Sequence, residues 1–77
     1  MLNKGDKTVL EDMNKQLATY SNELKNILEF YQSLYDYMSE EKQEGDIGEA
    51  LIDLIDALED VRGNVDSASV NIKIITK

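Results

Sequence analysis

The sequence predicts an all-α protein: an antiparallel two-helix hairpin with heptad seams, completed as a four-helix bundle by dimerisation. Three observations predict it. The 77 residues contain no proline and are rich in Leu, Glu, Lys and other good helix formers. Apolar residues recur at alternating intervals of three and four through two long stretches. Between those stretches lies "EEKQEGDIGEA", residues 40–50, with five acids and two glycines, a composition suited to a bend.

The first stretch is Leu10, Met13, Leu17, Tyr20, Leu24, Ile27, Tyr31, Leu34 and Met38, a heptad seam. Its start is signalled by "TVLE", where Thr8 caps and Glu11 reaches back as in a capping box. Gly45, able to take the left-handed conformation after a last turn, is the expected stop. These signals bound a helix over 8–43, about 50 Å long at 1.5 Å per residue.

A bend over 44–46 follows, and the spacing resumes at Ile47, Leu51, Leu54, Leu58, Val61, Val65, Ala68, Ile72 and Ile75. Asp46 is the expected cap of this second helix, 47–75, with Glu49 three residues on. Glu40 and Glu41 then fall at the negative end of the first helix, where acids are unfavourable. Gly63 offers a competing reading: a stop at Arg62, then a short strand alternating Val70, Ile72 and Ile74. A lone strand has nothing to pair with and the heptad spacing runs through Gly63, so a continuous helix is expected. So short a bend makes the helices antiparallel and sets Tyr31 opposite Leu58, Leu24 opposite Val65 and Leu17 opposite Ile72.

A single domain of this length buries only about 60% of its unfolded surface and needs reinforcement. No Cys is present, so disulfides are excluded; without His a zinc or haem site is nearly so. Oligomerisation and highly regular helix packing remain. Apolar residues beside the seams collect near the bend: Leu28, Phe30, Tyr35 and Tyr37 on the first helix, Ala50, Ile52, Ile55 and Ala57 on the second. A contiguous patch of this kind marks an interface, here for self-association or for a helix of another protein.

The absence of His and Cys also removes His-based triads, thiolate nucleophiles and zinc-bound water. The glycines at 5, 45, 48 and 63 do not form a phosphate loop. The expectation is a protein that is not an enzyme and carries no cofactor and no metal. Net charge is −8, which argues against nucleic acid. The apolar runs are interrupted by Asp, and charges occupy the N-terminal stretch where a signal sequence has its apolar core, so a cytoplasmic protein without membrane insertion is expected.

Acid is concentrated between Asp36 and Asp60, where ten acids face one base, Lys42. Within it Glu49, Asp53, Asp56 and Asp60 recur at four, three and four, forming one outward stripe. Such a stripe solubilises, or docks on a basic protein by imitating a phosphate row. The departure from EF-hand spacing leaves a divalent-ion site as the weakest alternative.

The plan is similar to the secreted helical hairpins of the WXG100 class and their partners. "DIGEA", residues 46–50, sets Gly48 and Ala50 where that class has the glycine of Trp-x-Gly and a following alanine, with Asp46 at the tryptophan position. "YMSEE", residues 37–41, matches Tyr-x-x-x-Glu, although it precedes the bend. The resemblance implies a dimeric four-helix bundle and secretion without a cleaved signal. Three roles are thus expected as alternatives: a small adaptor or structural subunit, an acidic inhibitor of a basic protein, and a secretion partner of that class.

Overall fold

The computed structural model describes residues 2–77. Three helices follow one another: α1 (Lys4–Asp36), α2 (Glu40–Glu44) and α3 (Asp46–Ile75). There is no strand among the described residues. The long helices α1 and α3 pack against each other as an antiparallel hairpin of 57 × 16 × 13 Å, and the short α2 packs on α3. No helix of the described residues is long and apolar enough to cross a membrane.

The start of α1 lies four residues before the expected Thr8. Asn3 is the cap, its Oδ1 accepting from the Asp6 N–H at 2.8 Å. Thr8 sits inside the helix and its Oγ1 donates back to the Lys4 carbonyl at 3.0 Å. A short polar side chain with an acid in the first turn satisfies the orphan amides one turn earlier than "TVLE" would.

The first helix also stops earlier than expected, at Asp36, because "MSEE" begins a new one. The Tyr37 N–H still bonds the Ser33 carbonyl, but Met38 already turns to a tighter bond with Tyr35. Ser39 takes extended backbone and caps α2, accepting from the Lys42 N–H at 3.3 Å. Gln43 then folds back, its Nε2 donating at 2.9 Å to the same Tyr35 carbonyl that accepts from the Met38 N–H. Glu40 and Glu41 consequently occupy the first turn of α2, where the helix dipole favours them. This reverses the expectation that they stand at the wrong end of a long helix.

Gly45 is not a left-handed stop. Its φ of −86° and ψ of −176° are ordinary extended backbone, and no described residue has positive φ. It is the N-cap of α3, accepting from the Glu49 N–H at 3.0 Å, while Asp46 is the first helical residue; no side chain caps this end. The glycine that the bend requires is Gly48. It is buried, and a Cβ there would lie 2.6 Å from the Gln43 Cα and closer still to the Gln43 carbonyl. The absent side chain lets α2 lie directly on the first turns of α3.

As expected, α3 continues through Gly63, whose Cβ position is open space, to Ile75; the Val70–Ile74 strand does not form. Near its end Thr76 Oγ1 donates to the Ile72 carbonyl.

Among the described residues three hydrophobic side chains are buried: Leu28, Ile55 and Ile72. On α1 the buried and half-buried positions are Lys7, Leu10, Asn14, Leu17, Ser21, Leu24, Leu28, Tyr31 and Tyr35. On α3 they are Gly48, Leu51, Ile55, Leu58, Arg62, Val65, Ala68, Ser69 and Ile72. Each seam shares every second member with the expected one and replaces the others by the next residue along. Both helices are therefore rolled by about 50°, half of the roughly 100° between neighbouring residues. Side-chain bonds mark the pairing: Ser21, expected opposite Ala68, donates to Asp66 at 2.7 Å, and Gln32, expected opposite Ala57, donates to Glu59 at 3.4 Å. The deviation grows toward the open end, where Asn14, expected opposite Ile75, accepts from Ser69.

Candidate interaction surface

The roll decides which side chains the hairpin keeps and which it offers. With Leu28 and Ile55 lettered a in the heptad, Tyr31 and Leu58 are d, and the a/d rows close on each other. Besides Lys7 near the open end, four of the closed positions are polar: Asn14, Ser21, Arg62 and Ser69. Their polar atoms are used. Ser69 donates to Asn14, Ser21 donates to Asp66, and the Arg62 guanidinium Nε donates to Ser21 at 3.4 Å.

One flank of the seam carries the e rows. Gln32 and Glu59 are both e and bond across it, and Lys25, Gln32, Glu59, Arg62 and Asp66 line an open polar groove there. Since e meets e on that flank, the g rows of both helices lie together on the other. Those rows are apolar: Met13, Tyr20, Ile27 and Leu34 on α1, and Ile47, Leu54, Val61, Ala68 and Ile75 on α3.

Met13, Tyr20, Ile27, Leu34, Leu54 and Val61 retain between 40% and 49% of their surface. Half exposure, repeated along two helices at matched heights, is the mark of a stripe wider than a two-helix seam covers. Expected as seam members, these residues are instead an apolar face running the length of the hairpin. The adjoining c positions widen it near the bend with Phe30 and Tyr37, 63% and 90% exposed, and with Ala50 and Ala57. Phe30 meets the Tyr31 ring edge-on, centroids 5.1 Å apart.

The patch expected beside the bend is accordingly divided. Leu28 and Ile55 are the interior of the seam and Tyr35 is half-buried in it. Ile52 lies in an e row, on the polar flank. Phe30, Tyr37, Ala50 and Ala57 remain on the apolar face. The face extends to Met13 at the open end, beyond the bend-side patch that the sequence predicts; toward that end each heptad of α1 carries only two seam-type apolar positions, Met13 with Leu17 and Tyr20 with Leu24, as a two-helix seam does.

Charge is distributed against this face. Its g and c rows, from Met13 to Tyr37 and from Ile47 to Ile75, hold one charged residue, Glu23. Glu49, Asp53, Asp56 and Asp60 take b and f positions, are exposed, and line the outer surface of α3 away from the apolar face. The one ion pair among the described residues is Lys25–Glu29 at 4.0 Å on the surface of α1, so the acids of the stripe are neutralised by no neighbour. Among the described residues no three acids gather as metal ligands would. No protein-family model, no curated protein and no solved structure matches the chain.

Proposed function

We propose that this protein is a non-enzymatic protein–protein interaction module, a small helical adaptor or structural subunit, which acts by covering its apolar face with another protein surface. The observation that carries the reading is the roll of the helices: the seam encloses Asn14, Ser21, Arg62 and Ser69 while Met13, Tyr20, Ile27 and Leu34 stay half exposed. A hairpin that worked alone would hide its larger apolar side chains and expose its polar ones, because burial of each such side chain contributes roughly 1.5–3 kcal/mol. The lengthwise continuity and near absence of charge suit a helical partner surface.

A photo-crosslinking residue at Ile27 or Leu54, in cells that make the protein, tests this. Protein adducts are expected from both positions and not from Gln32 on the polar flank. Absence of adducts at Ile27 and Leu54 refutes the module.

A second reading rests on a separate observation: Glu49, Asp53, Asp56 and Asp60 form one exposed row of unpaired carboxylates. This row suits a basic protein partner, as an acidic inhibitor would require. Adducts from Asp53 alone, lost as salt is raised, are its expected result.

A further inference from the structure

We infer that the apolar face is covered by a second copy of this chain, the two hairpins stacked face to face with their bends at the same end, so that α1 of each lies over α3 of the other. The inference rests on the interaction reading and names its occupant.

Area supports a second copy. The hairpin exposes 5910 Å² for a mass of 8.7 kDa, whereas a compact monomer of that mass exposes about 4,700 Å². The excess, about 1,200 Å², is somewhat more than the roughly 800 Å² that each partner of a stable complex buries. One further layer of the same length and width removes it.

Charge supports self-pairing. Two chains each carrying −8 would repel through most of their surface, yet the face between them holds only Glu23, and the acids of the stripe point away on the outer surface. A spacing across two helix layers exceeds the Debye length of about 8 Å at physiological salt, so those acids interact weakly across the dimer.

Shape selects the orientation. The α1 side of the face is bulky near the bend, with Phe30 and Tyr37, and the α3 side is small there, with Ala50 and Ala57. A two-fold axis along the hairpin sets α1 over the partner's α3 at equal height, large residues over small ones, which is how layers interdigitate. The opposite two-fold lays α1 on α1 and α3 on α3 with the bends at opposite ends, so Phe30 and Tyr37 fall over the open half of the partner's α1, with Met13 and Tyr20, and Ala50 and Ala57 over the open end of its α3. That arrangement does not set the bulky residues of the bend against the small ones.

The experiment uses the full chain, which lacks cysteine. Sedimentation equilibrium at tens of micromolar is expected to return the mass of two chains. Equal amounts of a Leu34→Cys chain and a Leu54→Cys chain are then mixed and oxidised; a disulfide-linked heterodimer is expected, at least tenfold over that from Leu34→Cys with Met13→Cys. Ala57→Arg, which blocks close approach on the face, is expected to weaken association at least tenfold with helical circular dichroism unchanged, while Ala18→Arg on the opposite flank leaves it intact. A one-chain mass overturns the second copy but leaves the module to stand or fall on its adducts at Ile27 and Leu54. Preferential Leu34/Met13 linkage overturns the orientation.

Discussion

Alanine at Gly48 and alanine at Gly63 are expected to move the stability of this hairpin in opposite directions. Both glycines lie in α3. In a helix interior, glycine is less favourable than alanine by about 0.8–1 kcal/mol, so propensity alone predicts two stabilised variants. At Gly63 nothing lies within 4 Å of the new methyl, and the full gain of up to about 1 kcal/mol is expected. At Gly48 the methyl would lie 2.6 Å from the Gln43 Cα, against backbone that cannot rotate aside. Overpacking costs roughly 1–3 kcal/mol. The alternative, lifting α2 from α3, loses the Gln43–Tyr35 bond, worth about 1 kcal/mol, together with the packing of α2. After the propensity gain, a net loss of up to about 2 kcal/mol remains. Urea unfolding followed by far-UV circular dichroism measures both, at one fixed chain concentration, because the proposed self-association would make stability concentration-dependent. Equal stabilisation by the two substitutions would refute the placement of α2 on Gly48.

Gly45→Ala, by contrast, is expected to change stability by less than about 0.5 kcal/mol, since φ there is negative and the nearest contact of a Cβ is an ordinary 3.5 Å; a large loss in the same unfolding assay would restore the left-handed stop. Ser39→Ala removes the cap of α2 and is expected to cost about 1 kcal/mol locally, read as faster hydrogen exchange at the Lys42 amide with the centre of α1 unchanged. Leu28→Ala is expected to cost about 2–5 kcal/mol in thermal unfolding at low concentration, and Phe30→Ala less than about 1 kcal/mol. Equal costs would contradict the division of the bend-side patch into seam and face.

Helix content was legible because two strictly periodic apolar stretches without proline leave little alternative, and the continuity of α3 through Gly63 followed because the period does not break there. Helix ends were less legible. Asn3 and Ser39 carry cap chemistry as plain as that of Thr8 and Asp46, and choosing among such candidates depends on where the backbone turns. The acidic row was fully legible, since its members share an outer face under either roll of the helix. The apolar face was not: its residues were visible, but as members of the seam.

The physical reason lies in the choice of rows. The d row can close together with the g row or with the a row, and composition alone prefers the g row, because the a row carries Asn14, Ser21, Arg62 and Ser69. What the sequence by itself determined is a bent pair of amphipathic helices with acid on the outside and more apolar surface than two helices hide. Only the tertiary structure decided which row stays outside. Polar groups of the seam find partners across it, in Ser69–Asn14, Ser21–Asp66 and Arg62–Ser21, while Met13, Tyr20, Ile27 and Leu34 form an exposed row that continues across to Leu54 and Val61.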